Sequence, residues 1–431
     1  MKTPLVRCAA LTALLLAFAG CPQPVVVAPV PAPATPTPTP TPPPVPTPPP
    51  PPYVPAKKLE VGKIFNGMQY RVRFETEIGT TATADRNEPG SYVADLTVRV
   101  KVPKANREMS ELMEINAELP NVLPGLGPML DGAKISPAFD NIYRLKCASL
   151  QASLNRLDNL LTRHNFFDCE TILELQHPES KRRALLIQAD MDTDMDGSDP
   201  DRAPEIDGTS ATFQPMTSYR WDKKSPLVNS FIPPREAKIV QYELELAANG
   251  VTPARKLELT TVRDRLRTEI GEMKRFSFLV AHADPFIVVP GSMVGKNRGA
   301  FAPGVGDYAV VIYGRTLYPA IVGDVGPSAK VGEASLRIGR EINARTSAEA
   351  RAVNDLKVTY LVFPGTGERP WGVPDLAKWR ARCEKLLGEI GGHEGEMFTW
   401  EDVTKPKPAT PAPQPPAAKP SASVKRPAKA G

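Results

Sequence analysis

AVVIYGRTLYPAIVGDVGPSAKVGEAS, residues 309–335, holds two apolar runs, each the length of a strand, with Gly314-Arg315 between them. A two-residue link containing glycine between such runs predicts a tight β-hairpin. The second run ends in Gly323-Asp324, and Gly326-Pro327 turns the chain before Gly332-Glu333. Similar short runs bounded by turn residues surround it: ALLIQAD (184–190), FSFLVAHADPFIVVP (276–290) and VTYLVFPG (358–365). Further upstream, QYRVRFETE (69–77) and SYVADLTVRVKV (91–102) alternate apolar and polar residues, as strands exposed on one face do.

Helices interrupt these strands. Leu150, Leu154, Leu157 and Leu161 recur at helical spacing within 139–164, with Asp140 placed to cap the start. A second helical stretch, 237–250 and 254–275, is split at Asn249-Gly250 and Pro253. Strands and helices in one continuous run, with no strong linker between Lys57 and Asp402, predict a single α+β domain over 57–402.

The flanks differ in composition. Lys2 and Arg7 precede an apolar run from Cys8 to Ala19, too short to span a bilayer and shaped like a secretory signal. Ala17-Phe18-Ala19 fits ordinary cleavage, whereas Phe18-Ala19-Gly20-Cys21 fits a lipoprotein signal (1–20) with lipidation at Cys21. The second is favoured because Cys21 lies where apolar sequence gives way to Pro-rich sequence. The expected protein is therefore exported, as an outer-membrane or cell-surface lipoprotein with a membrane anchor, or else secreted. Residues 22–56 contain 18 prolines and no charge, which predicts an extended, disordered stalk (21–56) reaching roughly 100 Å. The segment 403–431 is rich in Pro, Ala and Lys and is also expected to be disordered.

Charge follows the same division. Of 53 basic residues, two lie in the leader and six in the last segment, leaving 45 against all 48 acids between 57 and 402. The pI of 8.8 therefore belongs to the ends. With no basic stripe interleaved with aromatics in the core, nucleic-acid binding is not expected. Cys147 and Cys169 are near enough in sequence for a local disulfide, leaving Cys383 as a small buried hydrophobe. The absence of a CxxC pair or a His cluster disfavours a structural zinc site.

Four stretches carry candidate chemistry. ADMDTDMDG (189–197) alternates Asp190, Asp192, Asp194 and Asp196 before Gly197. An EF-hand beginning at Asp192 fails at its twelfth position, which is Ala203. What remains is a Ca2+ turn with fewer ligands at Asp192, Asp194 and Asp196, or an exposed acidic turn. Eight acids against Arg202 alone between 184 and 208 would attract a polycation. In TSYRWDKK (217–224), Tyr219 and Trp221 either stack on a sugar or plug the core beneath a loop. In HADPFIVVP, His282 beside Asp284 offers a proton relay, though a lone histidine at a strand start is commonly structural.

The fourth is the pair Asp324 and Glu333. Two carboxyl groups flanking a glycosidic bond suffice for its hydrolysis with no cofactor. Gly323 and Gly332 leave the backbone beside each acid open for a bulky chain. Equally, Asp324 completes a turn and Glu333 complements the dipole of a helix beginning near Ala334.

The order ADMDTDMDG, DPFIVVP, AVVIYGRTLYPAIVGDVGPSAKVGEAS resembles glycoside hydrolase family 75, the fungal-type endo-chitosanases, over about 184–366. The resemblance implies inverting hydrolysis of β-1,4 bonds of chitosan, with the family's essential acids at Asp324 and Glu333. Asp190, Asp192, Tyr219, Trp221 and Asp284 are the substrate-binding candidates, 237–275 is an insertion, and a monomer is expected. The Gly-Asp strand followed by a short loop is also similar to double-psi β-barrel proteins, which predicts a mostly antiparallel β-barrel core. That group supplies two alternatives: a peptidoglycan-directed hydrolase or lytic enzyme, and a non-catalytic envelope polysaccharide-binding lipoprotein.

Overall fold

The computed structural model describes residues 70–77, 93–100, 104–156, 169–205, 210–295, 299–348 and 350–405. The leader, Cys21, the Pro-rich stretch and the basic residues beyond 405 lie outside them. The chain divides after Lys58, and every described residue belongs to the second unit.

The elements run in chain order as follows. β1 (Tyr70–Glu77) and β2 (Val93–Val100) pair antiparallel as a two-stranded sheet. Then come α1 (Met109–Ile115), α2 (Leu119–Val122), α3 (Leu126–Leu130), β3 (Lys134–Ile135) and α4 (Pro137–Arg156). β4 (Cys169–Gln176), β5 (Arg183–Asp194) and β6 (Arg220–Asp222) precede the helical hairpin α5 (Ile232–Ala247) and α6 (Pro253–Arg275). β7 (Phe276–Phe278), β8 (Phe286–Pro290), β9 (Tyr308–Tyr313), β10 (Thr316–Gly326) and β11 (Glu333–Ser335) follow. The described part closes with α7 (Leu336–Ile342), β12 (Val353–Val362), α8 (Leu376–Gly388) and β13 (Glu396–Met397).

Six strands close a barrel in the order β11-β8-β10-β9-β12-β5, with β5 returning to β11. Four of its ladders are antiparallel; β10 with β8 and β11 with β5 are parallel. This is the α+β architecture that the strand pattern predicts, with the β-barrel core that the resemblance to double-psi barrels implies. The hairpin at Gly314-Arg315 is present: Tyr313 pairs with Thr316, and Gly314 has φ of 60°. β4 and β3 extend the sheet outward from β5, so residues before the 184–366 stretch are built into the same sheet.

The apolar runs are continuous because both strand faces are covered. Along β5, Leu185, Ile187, Ala189 and Met191 enter one apolar cluster, while Ala184 and Leu186 enter the other. β9 and β12 repeat the alternation, with Val311 and Tyr360 on the first side and Val310 and Leu361 on the second. One cluster also takes in Phe139, Ile142 and Tyr143 of α4; the other takes α1 to α3 and the Trp379, Cys383 and Leu386 face of α8.

Several local expectations change. α4 begins at Pro137, and Ser136 Oγ accepts the Ala138 N–H at 3.4 Å, so Ser136 occupies the cap and Asp140 lies in the first turn. The leucine stripe from 150 to 161 cannot be followed, because those side chains lie outside the described ones. The disulfide expected between Cys147 and Cys169 is not formed: both stand as thiols, and Cys169 donates to Thr171 O at 3.4 Å. Cys383 is buried, as expected of a small hydrophobe. The insertion is an antiparallel hairpin of α5 and α6, held by Arg235 to Glu269 at 2.8 Å and Arg267 to Glu243 at 2.6 Å.

Candidate active site

A bulge in β10 sets the position of Asp324. Ile321 and Val322 pair with Phe286 and Ile287 of β8, and the register then slips so that Asp324, not Gly323, faces Val288. Gly323 is the extra residue, and its carbonyl accepts the Tyr219 N–H at 2.9 Å. An extra residue exchanges the two faces of a strand from that point onward. Asp324 thus shares the face of Val288, whereas an unbroken strand would direct it with Val322 into the buried cluster. A Cβ on Gly323 would meet Phe286 Cβ at 2.5 Å and Leu279 Cδ1 at 2.6 Å, so no larger residue fits the bulge.

Glu333 opens β11, where it pairs with Val288 on one side and Asp192 of β5 on the other. It is therefore a strand residue and not part of the first turn of α7, which Ser335 precedes. Asp192, Glu333, Val288 and Asp324 form one row across four adjacent strands. Two strand spacings put the Asp324 and Glu333 backbones about 9–10 Å apart. Gly332 anchors this end: its φ is 78°, its carbonyl accepts the Asp192 N–H at 2.8 Å, and a Cβ there would meet Asp190 O at 2.5 Å. The space beside both glycines is thus filled by the protein itself, not left open for a substrate chain.

The row forms part of the lining of a cleft of ≈ 1220 Å³, walled by Ser210 to Ser218, by Pro327 to Lys330 and by Asn343 to Arg351, with Arg220 and Glu272 at the root of the helical hairpin. No helix among the described residues is long and apolar enough to cross a membrane.

Asp324 Oδ1 accepts three hydrogen bonds: Ser218 N–H at 2.9 Å, Ser218 Oγ at 2.6 Å and Val325 N–H at 2.7 Å. Burial pushes its pKa up and those donors oppose the rise. Asp194 Oδ1 accepts the Asp196 N–H at 2.6 Å, and Asp196 Oδ1 accepts the Gln214 N–H at 2.8 Å. One oxygen from each of Asp194, Asp196 and Asp324 lies within 4.8 Å of the others. Three such carboxylates cannot all ionise cheaply. Burial, then Asp196, Asp324 and Glu333, raise Asp194 well above the usual range, and burial lifts Asp196 to about 7.

Glu333 differs in having a cation. Burial raises its pKa, and Lys330, 3.0 Å from Oε1, opposes that rise. Lys330 also reaches Asp192 Oδ2 at 2.9 Å, and Arg351 reaches the same oxygen at 3.2 Å while pairing with Asp190. Burial of Asp192 is outweighed by these two cations, which hold its carboxyl below the usual range.

The residues expected from the sequence therefore separate. Asp324, Glu333 and Asp192 meet in the cleft, joined by Asp194 and Asp196. The acidic stretch is a barrel strand running into the cleft, not an exposed turn. Asp192 is drawn to Lys330 and Arg351, so the oxygens that converge as a divalent cation would need belong to Asp194, Asp196 and Asp324 instead. Asp190 is buried behind the cleft against Arg351. Trp221 and Asp284 are absent from the cleft lining. Arg202 donates to both oxygens of Asp284 at 2.9 and 2.8 Å and to Asp199 at 2.6 Å, and lies 5.1 Å over Trp221. With both its oxygens held by Arg202, Asp284 serves as an internal staple. Tyr219 is buried against Trp371, ring centroids 5.0 Å apart, and donates to Gly372 O at 3.2 Å. Sequence reasoning missed Ser218, Lys330 and Arg351. Of these only Lys330, three residues before Glu333, left a local signal.

Residues 191–391 match the profile of the fungal chitosanase of glycosyl hydrolase group 75. That stretch of the chain is similar to this family. The family is one of glycoside hydrolases acting on chitosan, and the matched span contains every acid of the cleft row together with β8, β10 and β11. A search among curated proteins found no match.

Proposed function

We propose that the protein hydrolyses β-1,4 bonds of chitosan with inversion, using Asp324 and Glu333 as its acid pair. The observation that carries this reading is their placement on either side of Val288, in register, on the wall of one cleft. Inverting glycosidases hold their carboxyl groups roughly 6.5–9.5 Å apart so that the attacking water fits between the base and the sugar, and a backbone separation of about 9–10 Å across one strand suits that geometry.

The surroundings distinguish the two roles. Glu333 has a cation on Oε1 and is the better-supported anion, so it serves as the base that takes a proton from the attacking water. Asp324 has no cation partner among the described residues and sits among two further carboxyl groups, an environment that favours the protonated form. Its Oδ1 is committed to three donors, leaving Oδ2 to carry the proton given to the departing glycosidic oxygen. Lys330 and Arg351 are outnumbered by Asp190, Asp192 and Glu333, an excess of one negative charge along the cleft wall. That excess attracts the protonated amines of polyglucosamine. The leader and Cys21 fit export with a lipid anchor; an unmodified mature N-terminus in mass spectrometry would rule the anchor out.

Reducing-end release from highly deacetylated chitosan by the full-length protein tests the reading. Asp324→Asn and Glu333→Gln should each lower kcat by about 10³-fold or more. An aryl glycoside with a good leaving group should restore Asp324→Asn and not Glu333→Gln. Wild-type rates in either variant would reject the acid pair, and release from peptidoglycan with none from chitosan would reject the substrate.

A further inference from the structure

We infer that Lys330 is a positioning residue for Glu333, fixing Oε1 so that Oε2 is the oxygen turned toward Asp324 and the substrate. The inference rests on the acid-pair reading and adds a residue to it.

Lys330 lies in the loop from Pro327 to Gly332, which its own backbone tightens by donating to Pro327 O at 3.1 Å. Two residues later Gly332 is pinned to β5, so the loop is short and held at both ends. From it Nζ reaches Glu333 Oε1 at 3.0 Å and Asp192 Oδ2 at 2.9 Å. Arg351 meets the same Asp192 oxygen and pairs with Asp190, so charges alternate along Glu333, Lys330, Asp192, Arg351 and Asp190. Side-chain exposure along this row falls from 19 % at Lys330 and 17 % at Asp192 to 10 % at Arg351 and 0 % at Asp190. Exposed ion pairs contribute little because water and salt screen them, but this row is anchored in the barrel wall.

The other oxygen of Glu333 points elsewhere. A Cβ built on Gly326 would lie 3.5 Å from Glu333 Oε2, which places that oxygen over the end of β10, on Asp324's side. A glutamate has three side-chain torsions, and Asp192 and Asp324 both repel an ionised Glu333. Lys330 is the cation that opposes them.

Kinetics of the full-length protein on chitosan tests this. Lys330→Met and the closer-sized Lys330→Gln should lower kcat about 10²-fold, the scale of a misplacement near 1 Å, with KM changed less than about threefold. Lys330→Arg, which keeps the charge, should recover most of the loss. Adding Lys330→Met to Glu333→Gln should cost nothing further, since the residue acts through Glu333. The inference is overturned if Glu333→Gln is inactive yet Lys330→Gln keeps wild-type kcat, if the loss lies in KM, or if the double variant is additive. Should Glu333→Gln itself keep wild-type kcat, the acid-pair reading fails instead, and the inference falls with it.

Discussion

Gly332→Ala tests whether the row of acids is set by close packing of the loop on β5. Two costs arise at this position. An L-residue at φ of 78° carries about 1–2 kcal/mol of strain, offset by about 0.4–1 kcal/mol from the stiffer unfolded chain. The new Cβ would also lie 2.5 Å from Asp190 O, 2.7 Å from Asp190 Oδ1 and 2.9 Å from Ala189 Cβ. Those atoms belong to a central barrel strand and cannot swing aside, so overpacking adds about 1–3 kcal/mol. The sum is about 1–5 kcal/mol, or roughly 1–7 °C in Tm for a domain of this size. Gly365→Ala is the internal control: its φ is 75°, but nothing lies within 4 Å of the added carbon, so it should lose only about 1 kcal/mol. Chitosan hydrolysis separates the two further. Displacing Gly332 moves its neighbour Glu333, and kcat should fall about 10²-fold, while Gly365→Ala retains its rate at temperatures below melting. Urea denaturation and initial rates on the two variants suffice. Equal stabilities, or a Gly332→Ala enzyme with unchanged kcat, would refute the packing argument.

Asp196→Asn should stabilise the protein at high pH. Asp196 has its folded pKa raised from 3.8 to about 7, so the folded state holds a proton that the unfolded chain releases. Its stabilising contribution is complete below pH 3.8 and is lost as pH rises through 7; the variant should gain about 2–4 kcal/mol over wild type at pH 8 and nothing at pH 4 by urea titration. Arg202→Met should cost about 3–5 kcal/mol, because Asp284 and Asp199 keep their burial and lose their cation; calorimetry reads this directly. Trp221→Leu should lower Tm while leaving KM for chitosan within twofold, and a large KM increase would return Trp221 to the sugar site.

The barrel strands were legible because each is buried on both faces, which writes long apolar runs between turn residues, and because Gly314-Arg315 marks a hairpin without ambiguity. The same burial hid the closure. A run apolar on both sides does not say which neighbour it takes, so the two parallel ladders, which join strands more than thirty residues apart in one case and about 140 in the other, left no periodic trace. Asp324 and Glu333 were visible as a spaced pair, but the sequence offered the wrong reason for the glycines before them. Gly323 and Gly332 are there because Phe286 and Asp190 come too close for any side chain, and the consequence is register rather than access. Trp221 and Asp284 misled for a related reason: an aromatic residue and an acid on a polar stretch look like a binding surface until a distant arginine is placed between them. Arg202, Lys330 and Arg351 are each unremarkable in the sequence, yet they decide which acids of the DMDTDMDG stretch are neutralised and which face the cleft. Asp190 and Asp192 are matched by cations from 330 and 351, whereas Asp194 and Asp196, two and four residues on, pair with none among the described residues and gather around Asp324. The alternation of four aspartates is thus divided by the fold into a half that anchors Lys330 and a half that keeps protons in the cleft.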